Sequence, residues 1–391
     1  MGETVDVVVV GAGIVGASVA FHLAEAGVRA LVLDRDGPVA GGTARSGGIV
    51  SCFDNTAVEA SLAWESLTKY FEPWHERVGG GCGFTRTGSA ILAGEEDADA
   101  LRSVTAVQAA GGIDVRLLNA EELAEAEPHA YLGDVHTASY QPRGGYADPA
   151  AATLGFLRAG AARFARRRVT AVRHSGGRVT GVSTDGGDIS CGAVVLAAGA
   201  WSVPLAASAG ADLPVRPSRI QVMLYERPYA IPMHLTMGDL INDLYLRSTA
   251  DRCSLAGRDA PVREWLDDPD VYRRELDDDA IADVHTRIAN RFPQLAERPY
   301  RLGRTAVLDM TADGKAVLGP LGPAGLFTGV GWSGSGFGKA PAVGAELARW
   351  VVDGAPRRAE LKRFGVGRFA EGALIHGDGT YAATAKRLGR G

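Results

Sequence analysis

At 391 residues the chain is too long for a single ordinary core, and two intimately joined domains are expected. Hydrophobic residues at 46%, charged residues at 22% and a net charge of −5 suit a globular protein of mixed class and point to neither nucleic acid nor an anionic membrane surface. No apolar run approaches the roughly 18 residues of a membrane span, and no basic leader precedes the first one, so an unexported cytoplasmic protein is expected.

In chain order, Val5 to Val10 is a continuous β-branched run that suits a parallel strand covered on both faces. Gly11 to Gly16 follows at once. Val15 to Ala26 then carries apolar residues at helical spacing, with Gly27 as the stop, and Ala30 to Leu33 closes a βαβ unit. A second glycine-rich stretch runs from Gly41 to Gly48. Asp148-Pro149 opens an Ala-rich helix expected to reach about Phe164, which makes Arg166 to Arg168 a solvated helix end without function. Val169 to Val172 and Arg178 to Ser183 read as strands joined by a Gly-Gly turn, and Val194 to Ala198 as another buried strand. Alternating strand signals from about Pro214 to Leu302, with an acidic helix over Asp277 to Asn290, predict most of an antiparallel-sheet domain. Glycine-rich sequence returns at Gly329 to Gly338, before a final helix over Ala342 to Val352.

Cys52, Cys82, Cys191 and Cys253 form no CxxC pair and stand at no zinc spacing from histidine, so they read as reduced thiols and no metal is expected. The eight histidines pair with no acid at a recognisable spacing, and no catalytic histidine is assigned; His22 reads as a packing or exposed residue.

Gly11-Ala12-Gly13-Ile14-Val15-Gly16 fits GxGxxG. The first glycine permits the turn, the second lets backbone amides approach a pyrophosphate at the helix N-terminus, and the third lets helix and strand pack closely. Asp34 stands eighteen residues after Gly16, followed by Arg35, where a carboxylate would accept ribose hydroxyls. This context makes dinucleotide binding the expected function of the N-terminal unit.

The second loop, Gly42-Thr43-Ala44-Arg45-Ser46-Gly47-Gly48, places small residues where backbone could line an extended cofactor. Together with the first motif it resembles the amine-oxidising flavoprotein family of sarcosine oxidase, glycine oxidase, D-amino-acid oxidase and dimethylglycine dehydrogenase. Further matches follow in the family's order: Gly145 to Pro149, Val169, the Ala198-Gly199-Ala200-Trp201 turn, and Gly331-Trp332-Ser333-Gly334-Ser335-Gly336-Phe337-Gly338 before the last helix. Asp309 to Gly314 is similar to the sarcosine oxidase β-subunit and dimethylglycine dehydrogenase branch.

The resemblance implies an α/β fold in which a Rossmann-type, glutathione-reductase-like FAD-binding domain is interleaved with an antiparallel-sheet substrate domain. It divides the chain into 1–80, 145–215 and 303–391 for FAD, and 81–144 and 216–302 for substrate. It further implies FAD as cofactor, a small amine substrate oxidised at its C–N bond by hydride transfer to flavin N5, and oxygen or an electron carrier as acceptor. Family positions for covalent attachment hold Ala306 and the histidine-free Thr43 to Gly48 loop, so FAD is expected to be non-covalent.

Departures matter as much. Val50 stands where many relatives carry a carboxylate-binding arginine, and the segment around Leu308 lacks the alternative one. Arg45, Arg86, Arg247 and Arg304 are the candidate substitutes. Leu255 or a neighbour occupies the place of the sarcosine oxidase lysine that speeds reaction with oxygen. Tyr245 and Trp332 are candidate pocket walls, and Lys339, one position past a family flavin-edge lysine, is a further candidate. Two other readings stay open: a flavin monooxygenase that consumes NAD(P)H, and a flavin-binding protein without amine oxidase activity.

Overall fold

The computed structural model describes residues 3–258, 264–298 and 300–377. Its centre is a six-stranded sheet in the order Arg163–Arg166, Ala30–Asp34, Val7–Val10, Ala193–Leu196, Leu326–Val330 and Val317–Pro320. All neighbours are parallel except the last pair. The strands alternate between two cores. Val7, Val9, Val32 and Val195 pack under the helices Ile14–Glu25, Pro149–Ala159 and Ala340–Asp353. Val8, Val10, Leu31, Leu33, Val194 and Leu196 pack instead on a four-stranded sheet that includes Val169–Ser175 and Arg178–Thr184. A period of two in side-chain direction, with both faces covered, is why these strands read as unbroken apolar runs.

Two sequence expectations are corrected here. The Ala-rich helix begins where expected, with Asp148 capping the amides of Ala150 and Ala151, but it ends at Ala159. Gly160 stops it, and Phe164 lies in an edge strand whose residues 163–166 pair with Leu31 to Asp34. Arg166 to Arg168 is therefore no helix end. It is the exit of a strand lying beside Asp34, and Arg167 and Arg168 line a cleft. The helix Ala340–Asp353 is also not the last one, since short helical turns at Ala359–Phe364 and Gly367–Ala370 pack behind it.

A nine-stranded sheet forms the second layer system. It takes Ser89–Ala93, Arg116–Leu118 and Thr137–Gln141 as well as the strands from Arg216 onward. Its pairings are antiparallel apart from Thr236–Asp239 against Ser89–Ala93, which run parallel. One face packs on Asp278–Arg291 through Val284 and Ile288. The other carries Val222, Leu224, Cys253 and Leu255, flanked by Ile220 and Tyr245. Among the described residues no helix is long and apolar enough to cross a membrane, and no cluster of metal ligands occurs. The four cysteines are buried and unbonded to one another.

Glu127 is buried in this second unit and accepts the amide of Leu235 at 2.8 Å. Burial pushes its carboxyl up to about 7, against an ordinary value of 4.5. The folded state therefore holds a proton that the unfolded chain releases, so stability present below pH 4.5 is lost as pH rises through about 7. Glu127→Gln should remove this loss. Denaturant midpoints of variant and wild type are expected to diverge across that window by roughly 3 kcal/mol in favour of the variant at alkaline pH; parallel pH profiles would contradict this origin.

Candidate functional site

A continuous cleft of about 1250 Å³ runs between the six-stranded and nine-stranded sheets. That exceeds the roughly 300–1,000 Å³ of pockets built for one small ligand. It suits an extended dinucleotide with a substrate beside it.

The first glycine motif lies at its middle. Gly11, Gly13, Ile14 and Val15 line the cleft, whereas Ala12 and Gly16 stand behind it and hold the turn. The amide of Ala12 donates to Asp34 Oδ2 at 2.9 Å, and a Cβ on Gly16 would fall 2.0 Å from the carbonyl oxygen of Gly11. Gly13 caps the first helix without a side chain, and the first turn contains no acid, so its dipole end is left to the cleft. The helix Ala340–Asp353 likewise has no acid in its first turn and starts next to cleft residues Gly336 to Lys339, with Ser66 Oγ accepting one of its amides, that of Ala342, at 3.1 Å. Two positive helix ends thus converge on one cavity. This arrangement fits a cofactor with a pyrophosphate and a ring system that gains negative charge.

Asp34 lines one end of the cleft. Its Oδ1 accepts the amides of Asp36 and Gly37 at 2.9 and 3.0 Å, in addition to the Oδ2 bond with Ala12. An ionised carboxylate has about four lone-pair sites, so capacity for a hydroxyl remains. Arg35, Val169, Ala198, Gly199 and Trp201 surround this end.

The second glycine loop is tied to the first by Thr43 Oγ1, which accepts the amide of Ile14 at 3.1 Å. Gly42, Thr43, Arg45, Ser46, Gly47 and Gly48 line the cleft; Ala44 does not, and its carbonyl accepts from Arg304 at 3.1 Å. Arg45 donates to the carbonyls of Ala40 and Gly41 at 2.9 and 3.2 Å, so it shapes the loop it belongs to. In the C-terminal loop, Trp332, Ser333, Gly334, Ser335, Gly336, Phe337 and Gly338 reach the cleft. Gly331 stands behind them, its amide donating to Asp309 Oδ2 at 2.6 Å.

The candidate pocket residues divide. Tyr245 lines the cleft from the nine-stranded sheet, and Trp332 lines it from the C-terminal loop, its indole N–H donating to Gly329 O at 3.0 Å. Arg86 is corrected: it points outward, 54% exposed, onto Glu72. Arg247 is corrected as well. It is buried rather than lining the cleft, stacks on Tyr146, and donates to the carbonyls of Gly47 and Ser248. Val50 turns into the helix-side core while Ile49 and Ser51 face the cleft, so the missing charge at 50 bears little on the pocket.

Lys339 does line the cleft, yet its ammonium is already engaged. It donates to Asp54 at 2.6 Å, Glu59 at 3.1 Å and Ser335 at 3.1 Å. Lys315 completes the cluster with bonds to Asp54 at 2.9 Å and Glu59 at 2.5 Å. Burial opposes the charges of Asp54 and Lys339, and pairing outweighs it: the Asp54 carboxyl is held well below its usual range and the Lys339 ammonium above its own. Sequence reading missed this cluster because its members are separated by up to 285 positions. It also missed Asp309, a cleft residue whose carboxyl burial pushes up to about 6; the motif Asp309 to Gly314 was the available signal.

Comparison with known proteins agrees with this geometry. A family model described as FAD dependent oxidoreductase (DAO) matches residues 6–350. Mitochondrial sarcosine dehydrogenase of Mus musculus is 26% identical over 96% of this chain, which spans only 42% of that protein. Glycine oxidase of Geobacillus kaustophilus is 26% identical over 88% of this chain and 92% of its own length. The crystal structure of L-proline dehydrogenase from P. horikoshii superposes with a TM-score of 0.89 at 23% identity, covering 96% of this chain and all of that one, and so shares the fold.

Proposed function

We propose, because the chain belongs to the DAO family of FAD-dependent oxidoreductases, that it oxidises the C–N bond of a small secondary amine or amino acid to an imine, with oxygen or another acceptor taking the electrons. FAD is the cofactor, and when bound it supplies a two-electron acceptor for the hydride lost from the carbon next to nitrogen, the N–H proton leaving as the C=N bond forms. The observation that carries the reading is the convergence of two helix N-termini, neither with an acid in its first turn, on one cleft that ends against an apolar sheet face.

In this reading Asp34 takes the ribose hydroxyls and the amides at Gly13 meet the pyrophosphate. The loops Gly42–Gly48 and Ser333–Gly338 line the remainder, with the start of the helix Ala340–Asp353 stabilising charge at the ring edge. The wall of Ile220 and Tyr245, packed on buried Leu255, excludes water from the reacting end. Asp54, the acid beside Ser51 and Phe53 there, is neutralised by two lysines and offers an incoming ammonium no counter-ion. Such surroundings favour the neutral amine, the form that can surrender its electrons. Retention is non-covalent, with Ala306 lining the cleft at the family's attachment position.

The test is an anaerobic absorbance titration of the purified holoprotein with N-methyl amino acids, cyclic amino acids and carboxylate-free amines. Bleaching of the oxidised-flavin band by one class, reversed by an acceptor, is the expected result. Bleaching by NADPH and by none of the amines would establish a monooxygenase instead, and no bleaching by either would leave a flavin-binding protein without this activity.

A further inference from the structure

The end of the cleft beside Asp34 is roofed by a segment that comes from the other sheet. Between the strand Glu264–Trp265 and the helix Asp278–Arg291 the chain arches over to the cofactor unit, with Leu266, Asp268, Asp270 and Tyr272 lining the cleft. Both feet of this arch rest on one guanidinium. Arg219, whose side chain is 0% exposed, donates to Glu264 at 2.6 Å, to Asp277 at 3.0 Å, and to the carbonyls of Arg273 and Glu275 at 2.7 and 2.5 Å. The crown is a tight turn in which Asp268 accepts the amide of Asp270 at 2.8 Å.

At the crown, Asp270 crosses to the cofactor unit. Its two oxygens accept from Arg35 at 2.6 and 2.8 Å, and Oδ1 also accepts the indole N–H of Trp201 at 2.9 Å. Arg35 follows the ribose acid directly, and Trp201 ends the turn after the strand Ala193–Leu196. The contrast between feet and crown is the informative feature. The feet are held by a buried arginine bonded to four residues, whereas the clasp joins side chains 25% and 44% exposed. A bidentate pair is directional, but at a wet surface it contributes little to stability and opens readily. The crown can therefore part from Arg35 while its feet stay in place.

We propose that residues 264–277 form a strap over the adenosine end of the cleft, and that Asp270, clasping Arg35 and Trp201, is the positioning residue that gates entry and exit of FAD. The proposal rests on the cofactor orientation given above. A gate differs from a simple contact because it slows both directions. Opening it accelerates uptake as well as release, so equilibrium affinity changes less than either rate.

The experiment follows flavin fluorescence during release from holoprotein and during uptake by apoprotein, for wild type, Asp270→Asn and Arg35→Gln. Both variants should raise both rates about two- to fivefold, the scale of an exposed bidentate pair. Added salt should speed exchange in wild type and leave the variants nearly flat. Faster release with unchanged uptake would reduce Asp270 to a structural contact, and unchanged rates in both variants would overturn the strap outright. Flavin that remains on acid-denatured protein would overturn it too. Asp34→Ala separates the two levels: intact FAD affinity in that variant removes the orientation and the strap with it, while weakened affinity alongside unaltered Asp270→Asn rates removes the strap alone.

Discussion

Lys339→Met should destabilise the folded protein by about 3–5 kcal/mol and lower its flavin content. The substitution leaves Asp54 and Glu59, 8% and 6% exposed, with Lys315 as their one remaining lysine. An uncompensated buried carboxylate carries the full desolvation cost, which is why removing one member of such a cluster costs more than the pairing itself contributes. The effect reaches the cofactor because Lys339 also donates to Ser335, in the loop that faces the cleft. Adding Asp54→Asn to Lys339→Met restores the charge balance and should recover part of the lost stability, a non-additive result readable in a double-mutant cycle by urea unfolding. Simple additivity, or a single variant as stable as wild type, would mean that the cluster is solvated.

Gly11→Ala should yield protein that purifies with little or no FAD and is roughly 2–5 kcal/mol less stable than wild type. Two costs combine. Gly11 has φ +107, a conformation that L side chains rarely adopt. An added Cβ would also lie 2.5 Å from the carbonyl oxygen of Ala197 and 2.8 Å from the amide nitrogen of Ala198, both backbone atoms of the adjacent strand end. The turn cannot yield without moving Ala198 and Gly199 in the cleft wall. Gly27→Ala is the matched control, since Gly27 also has a positive φ of 74 but nothing within 4 Å of its Cβ. Absorbance ratios at the flavin and protein bands, with urea midpoints, should show Gly27→Ala losing only about 1 kcal/mol and keeping its flavin. Equal losses in the two variants would assign the effect to backbone conformation alone.

Much of the cofactor unit was legible because its signals are local. A run such as Val5 to Val10, followed by glycines at fixed spacing and an amphipathic helix, fixes a strand, a turn and a helix from interactions a few residues apart, and Asp34 follows from where the second strand ends. The second glycine loop and the C-terminal loop were picked out by their resemblance to the family. Length led to the expectation of two joined units; in the described residues a six-stranded and a nine-stranded sheet flank one cleft.

What the chain alone left open is who faces whom. Phe164 looked helical because Ala and Arg favour helices, yet Gly160 and a parallel partner at Leu31 to Asp34 made it a strand and delivered Arg167 and Arg168 to the cleft. Arg86 and Arg247 were indistinguishable as candidates until the fold gave one to Glu72 and the other to the carbonyl of Gly47. Lys339 meets Asp54 across 285 positions, and Arg35 meets Asp270 across 235. The sequence by itself determined the glycine turns, the acid at the end of the second strand and the family they resemble, because steric permission and local hydrogen bonding act along the chain. Only the tertiary structure decided which charges are compensated and which side chains reach the cavity, because burial and Coulomb energy depend on distance through space.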